Sequence, residues 1–301
     1  MALRPDDLLD RRRLKRGVIL WRTLAILGFA AFLLAFIGRF GVFDGGPYVA
    51  RLSVTGLIVD DPKRDELIAE LKDDGRVRGL ILRLDSPGGT VVGGEALYRS
   101  LRRFAEEKPV VAVMGTLATS AAYMAALAAD RVVAREGTVT GSIGVIVQTV
   151  EVSRLLEDIG ISAEAITSGP LKDATSPFEP LDEGARASTQ ALVDDVYAMF
   201  VDLLAERRGF APDEARALAD GRVFTGRQAL AAGLIDTLGG EGEALAWLHE
   251  KGVQPELPVR EVMPERTREL FEELAGSAKK ALYPESLVLD GAISLWHAGL
   301  D

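Results

Sequence analysis

Two hydrophobic periodicities alternate along the middle of the chain. Short apolar runs of the kind found in buried strands are followed by segments with apolar residues at helical spacing, and the cycle repeats from about residue 48 onward. The predicted strands are residues 48–59, 77–84, 110–114, 131–134, 145–149 and 161–166. The predicted helices are residues 62–73, 93–107, 119–129, 152–158, 182–208, 212–219, 226–232 and 241–249. This alternation favours an α/β domain with a mostly parallel sheet.

The N-terminal pattern predicts a membrane anchor. Residues 11–16 read RRRLKR, and the apolar stretch that follows, residues 18–38, contains one charged residue, Arg22. Roughly 20 apolar residues are enough to cross the hydrocarbon core of a bilayer. The basic residues on the N-terminal side predict an N-terminus in the cytoplasm. Everything from about Gly45 onward is then expected outside the cytoplasm, on the periplasmic side of a cell inner membrane.

Two other interpretations of this segment are weaker. A cleaved signal peptide has a shorter apolar region that ends at small residues, whereas residues 36–43 read FIGRFGVF. A buried helix of a soluble protein does not explain the basic cluster beside it. The predicted organisation is a cytoplasmic basic N-terminus (1–17), a transmembrane helix (18–38), a globular domain (45–262) and an amphipathic and apolar tail (263–301).

Composition disfavours several classes of function. The formal net charge is -10 and no basic stripe follows residue 45, which argues against a nucleic-acid partner. Because the chain has no cysteine, disulfides, thiolate metal sites and a cysteine nucleophile are all excluded. Its two histidines, His249 and His297, fall late, in helical or tail sequence, so a Ser-His-Asp site and a histidine zinc site are improbable. No metal or other cofactor is predicted.

A serine and a lysine are left as candidates for acyl-transfer chemistry. Ser120 follows a predicted strand and opens an alanine-rich helix, where free N–H groups and the helix dipole favour negative charge. Lys172 lies 52 residues later, in a loop flanked by Gly-Pro and Ser-Pro, and it acts as a base only if burial keeps its amine neutral. The structural alternatives are an N-cap role for Ser120 or Thr119 and a solvated lysine.

Two glycine-containing segments have residues that fit such a site. Residues 85–89 read DSPGG, and Gly88 and Gly89 allow the backbone to turn and to present N–H groups to an oxyanion. A strand-to-helix turn that needs glycine explains the same residues equally well. Ser142, within residues 141–144 (GSIG), is suited to hydrogen-bond and orient a lysine amine, or it is simply part of a turn that enters a strand.

Further motifs accompany these segments in a fixed order. Together the motifs are SPGG (86–89), Ser120 with Tyr123 and the Ala-Asp pair at 129–130, GSIGV (141–145), Lys172 and Asp173 with Ser176-Pro177, GRVFTG (221–226) and GLID (233–236). In combination they resemble the signal peptide peptidase A family of serine peptidases, in the short form with one copy of the unit. The likeness covers most of residues 48–250 and implies the fold shared by the Clp protease and crotonase-like enzymes.

This resemblance implies a membrane-anchored serine endopeptidase. The site residues that it implies are Ser120 (nucleophile), Lys172 (general base), Gly88 or Gly89 with Ala121 (oxyanion N–H donors) and Ser142 (orienting the lysine). Members of the family cleave remnant signal peptides and other hydrophobic peptides, and they assemble into homo-oligomeric rings. In one-copy members the serine and the lysine come from neighbouring subunits, as this chain would also need. An apolar substrate preference is expected if Val91, Val92 and Leu117 line the site.

One position departs from the family pattern. The family commonly has Ser-Gly-Gly-Tyr where this chain has SAAY at residues 120–123. Alanine resists positive φ but suits helical dihedral angles, so the change is expected to be tolerated if Ala121 and Ala122 are helical. A catalytically silent membrane scaffold of the same fold is one alternative function. A crotonase-like acyl-CoA enzyme is another, although such an enzyme would not need Lys172.

Overall fold

The predicted membrane anchor and C-terminal tail lie largely outside the part of the chain that the structure describes. The structure is a computed structural model that describes residues 21–29 and 45–263. Contacts divide the chain into two units between Gly46 and Pro47. In the first unit, residues 21–29 are helical (α1) and their side chains are exposed. Among the described residues, none of the helices combines the length and the apolar character needed to cross a membrane.

The second unit is built on a mostly parallel sheet. Its described strands are β1 (Tyr48–Ile58), β2 (Val77–Gly89), β3 (Val110–Thr119), β4 (Arg131–Ala134), β5 (Val139–Gly141), β6 (Val223–Thr225), β7 (Thr237–Leu238) and β8 (Val259–Val262). The strand order is β6-β5-β3-β2-β1-β8, and β4 pairs with β3 and β7 beside this path. All of these pairings are parallel except that of β5 with β6. The predicted α/β class is confirmed.

Helices connect and cover these strands. In the second unit the described helices are α2 (Pro62–Asp73), α3 (Val91–Ala105), α4 (Ala121–Ala126), α5 (Ser153–Asp158), α6 (Glu183–Arg208), α7 (Pro212–Leu218), α8 (Gly226–Ala231) and α9 (Glu241–Glu250). Local chemistry fixes their ends. The carboxylate of Asp61 caps α2 by accepting from the N–H of Arg64. Asp182 caps α6 in the same way through Ala185, and α6 ends at Gly209, whose φ is 70°.

The sheet separates two hydrophobic clusters, and successive residues of a strand contribute to opposite clusters. Ile81 and Leu82 are both fully buried, but Ile81 belongs to the cluster that contains Trp247 and Leu248 of α9. Leu82 belongs to the larger cluster, which is formed with residues of α3, α4 and α6. Because helices cover both faces, the central strands read as continuous apolar runs in the sequence.

Strands β2 and β3 run further than the sequence pattern predicts. β2 continues from Leu84 through the Ser-Pro-Gly-Gly segment to Gly89, which pairs with the end of β1. β3 continues from Met114 to Thr119, and its last residues pair with β5. Proline and glycine ordinarily weaken or end a strand, so the sequence favoured a loop after residue 84. Both extensions lead to the candidate site.

Residues 144–182, which we call the arm, differ most from the prediction. The strands predicted at 145–149 and 161–166 are absent, α5 is the one helix or strand within the arm, and no residue of the arm is buried. An apolar segment forms a strand only where a neighbour satisfies its backbone N–H and C=O groups. The two strand predictions are wrong because the arm has no such neighbour among the described residues of the chain.

Candidate active site

Ser120 occupies a sharp turn between β3 and α4. β3 ends at Thr119 and α4 begins at Ala121. The φ of Ser120 is 55° and its ψ is -121°, a conformation that costs a non-glycine residue about 1–3 kcal/mol. The Ser120 N–H donates to the carbonyl of Gly141 (2.9 Å), and the Ser120 carbonyl accepts from the N–H of Met124 (2.9 Å). These bonds hold the strained backbone and present the hydroxyl at the tip of the turn.

Neither hydroxyl beside this turn caps the helix. Ser120 occupies the N-cap position of α4, but its side chain makes no capping hydrogen bond. The hydroxyl of Thr119 donates instead to the carbonyl of Pro87 (3.0 Å). The capping interpretation of these residues is therefore wrong, and the Ser120 hydroxyl is not committed to holding the end of the helix.

Gly88 lies directly against the Ser120 turn. Its φ is +107°, and a Cβ atom at this position would lie 2.8 Å from the Cβ of Ser120 and 3.1 Å from the backbone nitrogen of Ala121. Only glycine fits such a position. The N–H of Gly88 donates to the buried hydroxyl of Ser86 (3.1 Å), so this candidate oxyanion donor is already engaged. The N–H of Ala121, at the first position of α4, has no acceptor within its own helix.

Ser120 opens into a cavity of about 840 Å³. Gly88, Gly89, Ala121 and Ser142 line the cavity with Ser120, so five of the predicted site residues share it. The remaining walls are predominantly apolar and include Val59, Val91, Met124, Val196, Tyr197 and Phe200. A cavity of this size, with mostly apolar walls and a few polar groups, is typical of ligand-binding sites.

The apolar lining differs in part from the expectation. Val91 lines the cavity, but Val92 is 59% exposed, and neither it nor Leu117 contributes to the lining. Helix α6, which is remote from Ser120 in the sequence, supplies apolar residues of the lining that were not predicted, among them Val193 and Val196. Its apolar stripe was visible in the sequence, but such a stripe fits any helix that faces a core. Proximity in sequence was therefore a poor guide to the lining.

Ser142 has a strained backbone that faces the same cavity. Among the described residues, Ser120 and Ser142 are the two non-glycine residues with positive φ, and the φ of Ser142 is 50°. The Ser142 N–H donates to the carbonyl of Arg222 (2.8 Å). A Cβ atom on the preceding Gly141 would lie 2.6 Å from the ring of Phe224, so the GSIG segment packs closely on β6. Strained residues that a fold maintains tend to cluster at functional sites.

Lys172 is not brought to the Ser120 cavity of its own chain. It lies in the arm with an exposed side chain, and its backbone N–H donates to the carbonyl of Gly169 (3.1 Å). It is absent from the residues that line the cavity. The described chain thus brings together the candidate nucleophile, Ser142 and the two glycines that line the cavity, Gly88 and Gly89, which we call the glycine wall. It leaves the candidate base on a separate surface.

Helix α4 is held by Tyr123, which belongs to the sequence motifs, and by Arg207, which the sequence did not identify. Tyr123 is fully buried and its hydroxyl donates to the carbonyl of Leu234 (2.8 Å). Burial raises the pKa of Tyr123 well above its usual value, so the phenol stays protonated and remains a donor. Arg207 of α6 donates from Nε to the carbonyl of Leu127 (2.8 Å) and from Nη2 to that of Ala129 (3.1 Å). The nucleophile turn therefore rests on a fixed helix.

Comparison with known proteins matches residues 102–254 to peptidase family S49. The matched stretch contains Ser120, Ser142 and Lys172. It also contains α6, which supplies part of the apolar wall of the cavity.

Several relatives are similar over the second unit. The candidate protease slr0021 of Synechocystis sp. is 40% identical over 200 residues, which cover 66% of this chain and 72% of that protein. The chloroplastic serine protease SPPA of Arabidopsis thaliana is 33% identical over 205 residues, covering 68% of this chain and 30% of that protein. A protein of Enterococcus faecium described as signal peptide peptidase SppA is 31% identical over 211 residues, covering 65% and 61%. The chain thus spans less than two thirds of the length of the last two.

Among solved structures, the chain is similar to an alanine mutant of the membrane-bound stomatin-specific protease 1510-N. The TM-score is 0.50 at 17% sequence identity, and the match covers 73% of this chain and 99% of that one. At this level of identity the likeness shows a common fold and leaves activity to be argued from the site.

Proposed function

The chain belongs to peptidase family S49, as a serine protease of the signal peptide peptidase A type, and from this premise we propose that it is a membrane-anchored endopeptidase with a Ser-Lys dyad. In this proposal Ser120 is the nucleophile and Lys172 is the general base. The substrates are remnant signal peptides and other hydrophobic peptides. The segment at residues 18–38 anchors the protein in the inner membrane and holds the catalytic domain on the periplasmic face.

The observation that carries the proposal is the geometry of Ser120. Its hydroxyl sits at the tip of a strained strand-to-helix turn, beside the glycine wall, and lines a largely apolar cavity of about 840 Å³. A nucleophile needs such exposure to a bound substrate together with nearby N–H donors that stabilise the oxyanion. The apolar walls support hydrophobic peptides as the substrate class.

The proposed mechanism is acyl transfer. The neutral amine of Lys172 takes the proton of the Ser120 hydroxyl as Oγ attacks the scissile carbonyl carbon. The N–H groups of Ala121 and Gly89 stabilise the tetrahedral oxyanion, and losing one such donor typically costs about 3 kcal/mol. The C–N bond then breaks, and the lysine passes its proton to the leaving amine. Water, deprotonated by the same lysine, hydrolyses the resulting ester, while the hydroxyl of Ser142 orients the amine.

The exposed position of Lys172 supports a site that is shared between subunits. Lys172 lies on the arm, and the arm also exposes several large apolar side chains to solvent. These include Val150, Leu155, Ile159, Ile161, Ile166 and Phe178. Exposed apolar side chains in such number favour a protein partner. In the proposal that partner is a second copy of the chain, and repetition of the contact closes a homo-oligomeric ring.

Peptide hydrolysis by variants of the full chain in detergent micelles tests the proposal. We expect Ser120→Ala and Lys172→Ala each to lower hydrolysis of a fluorogenic apolar peptide at least about a thousandfold. Ser53→Ala and Lys63→Ala are the matched controls, because each changes an exposed residue that does not line the cavity. Both controls are expected to retain wild-type activity.

Mixing the two inactive variants distinguishes the arrangements. If the dyad is shared, a mixed ring contains sites with both an intact serine and an intact lysine, so subunit exchange restores part of the activity. Exchange without recovery would place the two residues in one subunit. Wild-type activity in either single variant would show that the dyad assignment is wrong, and an inactive wild type in well-formed oligomers would favour the silent scaffold.

A further inference from the structure

Arg64, in the first turn of α2, is a buried charged side chain that the proposed mechanism does not use. It is 6% exposed. Its Nη2 donates to the carbonyl of Val59 (3.3 Å), while its Nε lies 3.8 Å from Oδ1 of Asp65 and makes no hydrogen bond. Burying a charge with an incomplete set of partners is costly, so a group of this kind in a folded protein requires an explanation.

The carbonyl that Arg64 holds belongs to the wall of the Ser120 cavity. Val59 follows the last residue of β1 and lines the cavity on the side of the glycine wall. The backbones are in direct contact here, because a Cβ atom on Gly89 would lie 1.8 Å from the carbonyl oxygen of Ile58. The strand end that carries one proposed oxyanion donor therefore packs on the backbone that Arg64 restrains.

The backbone of Val59 also contacts helix α3, and α3 in turn contacts Ala121, whose N–H is the second proposed oxyanion donor. A Cβ atom on Gly93 would lie 2.5 Å from the carbonyl carbon of Val59. A Cβ atom on Gly94 would lie 2.9 Å from the Cβ of Ala121. Gly93 and Gly94, in the first turn of α3, thus pack between Val59 and Ala121, and no side chain of either glycine separates the backbones. A close-packed contact of this kind transmits a displacement of one backbone to the other.

We infer that Arg64 is a positioning residue of the active site. By holding the Val59 carbonyl, it keeps the N–H groups of Gly89 and Ala121 in register with the Ser120 hydroxyl. This inference rests on the proposed function. Arg64 does not line the cavity itself, so its loss affects stabilisation of the transition state more than binding of the peptide.

The test compares Arg64→Met, Arg64→Lys and Lys108→Met in the full chain. Lys108 is the control, because its ammonium also donates to backbone carbonyls, those of Leu71 (3.0 Å) and Asp74 (2.7 Å), and neither of these two residues lines the cavity, whereas Val59 does. Arg64→Met removes the donor and keeps the apolar stem. We expect its kcat to fall about tenfold while KM changes less than about twofold. Arg64→Lys is expected to recover part of the kcat, and Lys108→Met to keep the wild-type kcat.

The rate at which a fluorophosphonate inactivates Ser120 gives an independent readout, since that reaction also uses the oxyanion donors. We expect this inactivation rate to fall in parallel with kcat in Arg64→Met. A wild-type kcat in folded Arg64→Met would overturn the inference, as would an equal loss of kcat in Lys108→Met. If Arg64→Met does not fold, Arg64→Gln decides in the same way, because its shorter side chain cannot replace the bond to Val59. A wild type without Ser120-dependent hydrolysis would overturn the proposed function as well.

Discussion

The methyl group of Ala121 lies against Gly94 of α3, where a Cβ atom would come within 2.9 Å of it. Ala121 and Ala122 are helical, and the positive φ of this turn falls on Ser120. Alanine is therefore unstrained at the two positions where the Ser-Gly-Gly-Tyr pattern has glycine. The departure to SAAY was the only feature that favoured a silent scaffold, and the backbone gives that alternative no support.

A double-mutant cycle tests the contact between Gly94 and Ala121. Gly94→Ala is expected to overpack it and to lower the free energy of unfolding by about 1–3 kcal/mol. Ala121→Gly removes the opposing methyl group, so the double variant is expected to regain most of that loss. Chemical denaturation of the four proteins measures the coupling. Gly137→Ala is the control, because nothing lies within 4 Å of its added Cβ. Simple additivity of the two changes would contradict the prediction.

At this scale the sequence revealed the candidates for chemistry but not the residues that hold them. The lack of cysteine and the two late histidines left a serine nucleophile with a lysine base, and the choice of Ser120 and Ser142 among the serines depended on their local motifs and on the family resemblance. Arg64 and Arg207 act by donating to backbone carbonyls. The carbonyls that Arg207 contacts, of Leu127 and Ala129, are far from it in sequence. No motif encodes such contacts, since any exposed arginine has the same local sequence signature.

Strands β2 and β3 carry the site because each is longer than its apolar run. The runs at 77–84 and 110–114 were enough to predict the strands themselves. Their extensions, residues 85–89 and 115–119, depend on pairing with the end of β1 and with β5, which local periodicity does not report. Strands β5 to β8 have four residues or fewer, and tertiary hydrogen bonds define them, so the pattern did not predict them.

The turn that joins α2 to β2 contains a carboxylate whose charge the fold stabilises. Asp74 accepts from Nη2 of Arg76 (2.8 Å) and from its backbone N–H (2.9 Å). These bonds lower the pKa of Asp74 from 3.8 to about 2. Because the folded-state pKa is below the unfolded one, ionised Asp74 stabilises the folded state above about pH 4, and the contribution is lost as the pH falls towards 2.

Asp74→Asn is therefore expected to lower the melting temperature near pH 6 and to have little effect near pH 2. The effect is modest because the Arg76 side chain is 55% exposed, so solvent screens the pair. Thermal unfolding across this pH range measures it, with Asp73→Asn as the control, since the Asp73 side chain is 77% exposed. A difference from wild type that stays constant with pH would show that Asp74 does not titrate as described.

The whole molecule brings distant motifs together because its strands are parallel. Gly89, Ser120 and Ser142 each end or follow a strand, and the carboxyl ends of adjacent parallel strands β2, β3 and β5 meet at one edge of the sheet. This convergence could be predicted from the alternation of strands and helices. The same alternation also placed Lys172 after the strand predicted at 161–166, and this placement failed because that strand is absent from the described arm. The pairing of Lys172 with Ser120 therefore had to be inferred from chemistry and from the family resemblance.

In the proposed homo-oligomer, the arm is expected to become buried. Ile159 is 62% exposed and Ile166 is 98% exposed. If a second copy covers them, Ile159→Glu and Ile166→Glu each place a carboxylate in an apolar contact, which weakens assembly. Sedimentation velocity of the full chain in detergent is expected to show smaller complexes. Leu230→Glu, at a 38% exposed position on α8 outside the arm, is the control and is expected to keep the wild-type assembly.

Activity measured on the same samples decides whether the contact delivers the base. Ile166→Glu keeps its own Ser120 and Lys172, so a loss of hydrolysis together with assembly requires the lysine to act across the contact. Copies that carry Ser120→Ala and an intact arm are expected to restore hydrolysis by supplying their Lys172 to the cavities of Ile166→Glu copies. Copies that carry Lys172→Ala should not restore it. Smaller complexes with full activity would contradict a shared site, and unchanged sedimentation would contradict an interface at the arm.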